Sequence, residues 1–382
     1  MSTNNTNTPG GNANGRKIFI GAIAVVVIAA AVFFVTRNRD QNANTGNETV
    51  TIGAILPLTG KYADAGNGAK VGLEFAIHDI SAQGKINYQM VTYDTQSDAK
   101  NALTGYSRLK TLNKINIFFT TMGDHSLILK PEAIKSDSLL FCVSALPDIT
   151  KDNKQLVFRL ATTTLGEVNC MLQHISNSLH SKRVFTYMFN NEACLEYGKL
   201  IKERDAGNLV GTCLYEEDFA AMRNIVTANT YKNADCIIII GTTPAMGFLV
   251  KLIREGGYSG PIIASAAFNQ PSILNAAGEY GKQVSFVDYD FPYHSNQQKI
   301  WNDEAQKKYK TSFSIMSYHT YGALRILNRI NSPEILSPRD IGKILSENKT
   351  YKLNAGDAAM KFNAQDGGIT TDLRMRTISE DE

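Results

Sequence analysis

Residues 51–80, TIGAILPLTGKYADAGNGAKVGLEFAIHDI, restrict the fold more than any other stretch of the chain. Val50, Ile52, Ala54 and Leu56 open a buried strand, and Pro57 ends it. A polar, glycine-rich loop is expected over 58–67, too long for the tight turn that cradles a dinucleotide. From Val71 onward, Val71, Phe75, Ile77 and Ile80 recur at helical spacing. Strand, long loop and helix in that order open an α/β sheet, and such sheets bind ligands at the carboxyl ends of their strands.

The alternation continues. Strands are expected at 87–93, 115–120, 139–144, 183–189, 209–215, 235–240 and 261–264. Helices are expected at 98–112, from the 122–126 turn to about 135, and at 195–203, 219–229 and 245–256. This pattern predicts a doubly wound parallel sheet, and its second run predicts a second lobe of similar topology. With 382 residues the chain has room for both. Lys and Arg number 39 against 36 Asp and Glu, a balance that does not suggest a nucleic-acid partner, which would need a clustered basic face.

The N-terminus has a different character. Residues 1–17 are a polar tail rich in Asn, Thr and Gly that ends in Arg16-Lys17. Residues 18–35, IFIGAIAVVVIAAAVFFV, carry no charge and reach ~27 Å as a helix, enough to cross a hydrocarbon core. A cleavable signal peptide is the rival reading, with Ala29-Ala30-Ala31 as small residues, but its apolar region is typically ~7–15 residues. The expectation is an uncleaved, single-pass anchor followed by a polar linker over 36–48. The five cysteines form no C-x-x-C pair, and no disulfide is assigned. Cys142 and Cys236 sit in apolar strands and read as core residues.

The run I-x-x-x-x-P-L-T-G, then G-x-G-x-x-x-G-x-E-x-A, then Ile80, resembles the opening of type I periplasmic solute-binding proteins. Within them it is most similar to the branched-chain amino-acid (Leu/Ile/Val) receptors, and the resemblance runs over about 49–378. It implies two lobes joined by three crossovers, near 161–165, 288–293 and 331–338. Lobe one would then hold 49–161 and 292–331, and lobe two 166–288 and 332–378. It also implies an extracytoplasmic body tethered to the cell membrane, a small-molecule ligand (amino acid, amide or small carboxylate) and an ABC-type permease as partner. No cofactor is implied.

Several residues are candidates for the ligand site. The turn Asp124-His125-Ser126 stands at a helix start, where exposed N–H groups attract anions. By resemblance this turn receives the ligand carboxylate, and Ser126 matches that role. Asp124 could equally be a helix cap, and a carboxylate there would repel a ligand carboxylate. Ser144 and Ala145 resemble the turn that holds the ligand's charged end, although Leu146-Pro147 stands where the family often has Thr. In lobe two, Tyr197 could cover the ligand or be packing, and Glu192 could face an ammonium or be solvated. Amino-acid-binding members carry an acid on the loop after Ile263 that pairs with the ligand ammonium. Here the matching position is Ala266, with Phe268 nearby as an apolar wall. Either another acid substitutes, Asp124 or Glu192, or the ligand has no ammonium.

Gly66-Asn67-Gly68-Ala69-Lys70-Val71-Gly72 is one residue off a dinucleotide fingerprint, and its glycines read as close-packing residues at the helix entry. No H-E-x-x-H, G-x-S-x-G or P-loop is present. A solute receptor feeding a transporter is therefore expected, with an anchored sensor on the same frame as the alternative and an enzyme on that frame as a third class.

Overall fold

The protein is described by a computed structural model over residues 48–378, apart from 83–85, 229–230, 290–295, 332–333, 348–349, 353–358, 363–366 and 371. The expected tail, membrane span and most of the linker lie outside the described residues. Among those described, no helix is long and apolar enough to cross a membrane.

The first sheet places β1 (Glu48–Leu56) between β2 (Ile86–Asp94) and β3 (Ile117–Thr121), followed by β4 (Leu139–Val143) and β5 (Val157–Arg159). All its pairings are parallel. In β3 and β4 every residue is buried, as strands covered on both faces require. Phe119, Phe141 and Phe158 stack across three neighbouring strands at 5.0 and 5.8 Å.

The second sheet repeats this plan. Here β6 (Val184–Phe189) lies between β7 (Leu209–Tyr215) and β8 (Cys236–Ile240), followed by β9 (Ile262–Ala264) and β10 (Val284–Tyr289). A last strand, β14 (Leu373–Thr377), adds antiparallel to β10. Both sheets thus reverse their strand order at the same place, between first and third strands, where ligand crevices form.

The helices that follow these strands are α1 (Ala63–Ser81), α2 (Ala99–Leu112) and α3 (Gly123–Lys135) in lobe one. In lobe two they are α4 (Thr164–His174), α5 (Glu192–Asp205), α6 (Phe219–Thr227), α7 (Pro244–Glu255) and α8 (Pro271–Ala277). Local signals fix several starts: the side chains of Asp98, Thr163, Asn191 and Asp218 accept from backbone N–H groups at the ends of α2, α4, α5 and α6.

α1 begins at Ala63, so the glycine-rich run lies inside the helix and the loop is shorter than the expected 58–67. The reason is packing. A Cβ on Gly66 would come within 2.1 Å of the Pro57 carbonyl oxygen, and one on Gly72 within 2.1 Å of the Ser317 carbonyl oxygen. The glycines let α1 lie against the strand end and against α10 (Ile315–Ile330). Ser317 Oγ donates to the Gly68 carbonyl at 2.7 Å, and Thr320 Oγ1 to that of Ala69 at 2.8 Å. α9 (Asn296–Tyr309) closes the assembly through Trp301, whose ring lies 4.8 Å from Phe313 and 4.9 Å from Tyr321.

The chain rejoins lobe two later than residue 332. α11 (Pro338–Leu345) packs on β4 and α10 of lobe one, and a Cβ on Gly342 would meet the Gln155 carbonyl oxygen at 1.9 Å. β11 (Thr350–Lys352), β12 (Ala359–Phe362) and β13 (Ile369–Thr370) form a small separate sheet. Beside it, Arg159 of β5 donates its backbone N–H to the Gly367 carbonyl at 3.1 Å. Only β14 belongs to the second sheet.

Candidate functional site

The lobes meet at the carboxyl ends of both sheets and enclose a cavity of about 120 Å³. Its wall follows the strand ends: Met122 and Gly123 after β3, Ser144 to Leu146 after β4, Gly241 and Thr242 after β8, Ser265 to Ala267 after β9, and Tyr289 at the end of β10. Helix starts complete it, with Thr164 and Glu167 of α4, Ala193, Cys194 and Tyr197 of α5, and Met316 and His319 of α10. An apolar cavity of ~150 Å³ can hold benzene, so this partly open space suits a small solute.

Contacts across the cleft hold the lobes together. Ser272 N–H of α8 donates to Asp64 Oδ2 of α1 at 2.9 Å. The backbone N–H of Thr164, the first residue of α4, donates to the Ala145 carbonyl at 3.0 Å. The rings of Tyr289 and His319 meet edge to face at 5.1 Å. His319 is buried, and desolvation pushes its imidazole down to about 3, so it is neutral at physiological pH.

The sequence candidates divide. Ser144, Ala145 and Tyr197 line the cavity. Ser144 Oγ also accepts from the Leu146 N–H at 3.3 Å, which fixes the turn. Ser126 is not in the wall: it is fully buried, and its hydroxyl donates to the Met122 carbonyl one turn back at 2.6 Å. Gly123 and Met122 stand at the cavity in its place. Met122 holds φ 70° and ψ 147°, a strained backbone for a residue with a side chain, of the kind found at ligand sites.

Asp124 is neither a cap nor part of the wall. It lies inside the first turn of α3, and its Oδ1 accepts from the backbone N–H of His125 and meets His125 Nδ1, both at 2.8 Å. Burial pushes its carboxyl up, but the hydrogen bonds and charge of His125 outweigh it, so the pKa is lowered. His125 Nε2 lies 2.8 Å from Thr95 Oγ1. This Asp–His–Thr row has the distances of a nucleophile relay, yet His125 and Thr95 are wholly buried and outside the cavity wall, so it braces the turn. Glu192 is exposed at the start of α5 and outside the wall. Phe268 is fully buried, packs 5.9 Å from Phe286, and lies outside the wall.

The carboxylate in the wall is one that the sequence reading passed over. Glu167 is 3 % exposed, and its Oε2 accepts from the Ala266 N–H at 3.1 Å. The position where an acid is missing from the chain is therefore met by an acid from α4. Tyr289 Oη donates to Glu167 Oε1 at 3.3 Å. Burial pushes the Glu167 carboxyl up, against the Ala266 N–H and the hydroxyls of Tyr197 and Tyr289, which favour the ionised form. The signal was present: Thr163 caps a run in which Val168, Met171, Leu172 and Ile175 recur at helical spacing. Three cavity hydroxyls, those of Thr164, Thr242 and Ser265, have no hydrogen-bond partner. No Lys or Arg lies in the cavity wall.

Comparison with known proteins agrees with this architecture. The periplasmic binding protein family matches residues 49–382. The Leu/Ile/Val-binding protein of Escherichia coli K12 is 20% identical over 352 residues, covering 88% of this chain and 90% of that protein. Among solved structures, a leucine-binding protein from Thermotoga maritima superposes with a TM-score of 0.75 at 19% identity, covering 87% of this chain and 96% of the other. A solute-binding protein of an ABC transporter from Rhodopseudomonas palustris, in complex with 3,4-dihydroxybenzoic acid, has a TM-score of 0.73 at 17% identity, covering 87% and 93%. With the family model matched over residues 49–382 and the same two-sheet fold in the solved structures, the chain belongs to the periplasmic binding protein family.

Proposed function

We propose that the protein is an extracytoplasmic solute receptor that closes its two lobes on a small organic ligand, amino-acid-like or a related carboxylate, and presents it to an ABC-type permease. The observation that carries this reading is the partly open cavity shared by both lobes, in which three hydroxyls lack partners and one carboxylate has no Lys or Arg beside it in the wall. Buried polar groups are costly to leave unpaired, so the wall is suited to a ligand that pairs them. The helix start at Gly123 adds N–H groups that favour a carboxylate. Relatives are named for both amino acids and aromatic acids, which sets the range of ligands to try.

The charge-free run 18–35 and the polar stretch after it support a permanent membrane anchor with the lobes outside the cytoplasm. The same anchor supports a second reading, a tethered sensor that reports the solute to a membrane partner rather than delivering it.

The test is a thermal-shift screen of the full-length protein in detergent against amino acids, amides, aliphatic and aromatic acids, nucleosides and sugars. At ~100 times its dissociation constant a true ligand stabilises the fold by ~2.7 kcal/mol. No stabilisation by any class would contradict the receptor reading. Loss of uptake of the identified ligand when the gene is deleted separates transport from sensing.

A further inference from the structure

Glu167 is the group in the cavity whose chemistry is incomplete. Both of its oxygens face donors, Oε2 the Ala266 N–H and Oε1 the Tyr289 hydroxyl. The Ala266 N–H can only donate, so Oε2 stays an acceptor, whereas a proton on Oε1 can be given to the Tyr289 hydroxyl, which accepts as well as donates; the wall therefore accommodates either form. Yet the residue is 3 % exposed, and no Lys or Arg shares the cavity wall with it. A buried carboxylate without a cation is costly. The buried guanidinium of Arg159 from β5 acts on Tyr289 but lies outside the wall, and the remaining groups that face Glu167 do not supply the charge: Tyr197 and Cys194 from α5, Tyr289 from β10, Cys170 from α4 itself. Each is held neutral by burial, Cys170 at about 11 and Cys194 at about 12. His319, which packs on Tyr289, is neutral as well.

Around this carboxylate lie acceptors that suit a cation with several N–H groups. Thr164 sits one turn before Glu167 on α4, and Ser265 directly precedes Ala266; both hydroxyls line the cavity without a partner. An ammonium carries three donors and no acceptor.

We infer that Glu167 selects the ligand by pairing with a protonated nitrogen, and that the cavity takes an ammonium-bearing solute at its α4 end. The inference rests on the solute-receptor reading above and deepens it. The ligand then brings the missing cation, and lobe-two recognition comes from α4 rather than from the loop after β9.

One consequence separates this role from a structural one. Burial favours the protonated form of Glu167 in the empty protein and an ammonium ligand favours the ionised form, so binding lowers its pKa and couples affinity to pH. The experiment is calorimetric titration of the full-length protein with matched pairs, L-leucine against 4-methylpentanoate and L-phenylalanine against 3-phenylpropanoate, with benzoate beside them. Titrations are repeated in buffers of different ionisation enthalpy and with Glu167→Gln and Thr164→Val. The expected result is binding of an amino acid but not its deaminated partner, a loss of about thirtyfold or more in Glu167→Gln, and a smaller loss in Thr164→Val. Any proton release on binding should vary with pH in the natural protein and vanish in Glu167→Gln. If the deaminated acids or benzoate bind as well as the amino acids, and Glu167→Gln binds them unchanged, the inference is overturned while the receptor reading stands. If Glu167→Gln binds an amino acid as the natural protein does, the inference is equally overturned. If the solute found in the wider screen carries no protonated nitrogen, the inference is overturned while the receptor reading stands.

Discussion

Asp64 of lobe one accepts a hydrogen bond from the backbone N–H of Ser272 in lobe two, 2.9 Å away across the cleft and 208 residues later in the chain. Asp64 lies in the first turn of α1, and Ser272 follows Pro271 at the start of α8, where a helix has unpaired N–H groups. Because it joins the two lobes and touches neither core, this contact is expected to act on any opening of the cleft.

Replacing Asp64 by Ala is therefore expected to weaken ligand binding without unfolding the protein. A hydrogen bond to a charged group contributes about 1.5–3 kcal/mol at most, so affinity should fall by roughly tenfold to a hundredfold. Small-angle scattering of the unliganded variant should show a larger radius of gyration. Unchanged affinity would remove Asp64 from the closing mechanism.

The contact of α1 with α10 gives a stability prediction. A methyl group at Gly72 would lie 2.1 Å from the Ser317 carbonyl oxygen and 2.3 Å from Thr320 Oγ1. Backbone cannot yield as a flexible side chain can, so Gly72→Ala should destabilise by about 1–3 kcal/mol through overpacking. It should also lose the Ser317 and Thr320 hydrogen bonds to α1. Chemical denaturation measures the difference, and a neutral result would mean that the helices separate at little cost.

Glu167 makes a prediction of opposite sign to the usual carboxylate. Its folded pKa is raised by burial, so the folded protein keeps a proton that the unfolded chain has lost. Stability from this group is full below the ordinary glutamate range, ~4.3, and declines as pH rises toward the folded value. Without ligand, the melting temperature of Glu167→Gln relative to the natural protein should increase between pH 4 and pH 7. A difference that shrinks over this interval would mean that the carboxylate is stabilised in the empty cavity.

At the far edge of lobe two, Arg376 of β14 lies 3.6 Å from Asp288 of β10, whose side chain is 1% exposed. Burial pushes the Asp288 carboxyl up, and Arg376 and Arg374 oppose it. Removing the cation leaves a buried charge poorly paired, so Arg376→Met should cost about 3 kcal/mol. Adding Asp288→Asn should restore much of the loss, because the charge is then gone. Equal destabilisation in single and double variants would show that β14 depends on packing instead.

The sheets were legible because their strands are apolar on both faces: INIFF, LLFCV and CIIII admit few other readings in an α/β pattern. The helix entry was harder. Gly66 and Gly68 look like loop residues until the Pro57 carbonyl and Ser314 hydroxyl that approach them are known. α4 was missed between the expected crossover and the strand at 183, although its cap and apolar spacing are present. Its functional residue was less visible still, since Glu167 meets Ala266 and Tyr289 at sequence separations of 99 and 122. Ser126, Asp124 and Phe268 were chosen by local likeness, and neighbours on their own turns or in the lobe core engage their side chains. The late return of the chain to lobe two rests on Gly342 and Gly367, whose close approaches to Gln155 and Asn153 no periodicity announces.

The central claim is that a small solute binds between the lobes. It is tested most directly by calorimetric titration of the ligand found in the screen into the full-length natural protein and into Ala145→Phe, which fills the cavity from lobe one. The account predicts saturable one-to-one binding to the natural protein and none to Ala145→Phe, with the variant still folded by circular dichroism. Equal binding to both would place the ligand site elsewhere on the molecule and contradict the account.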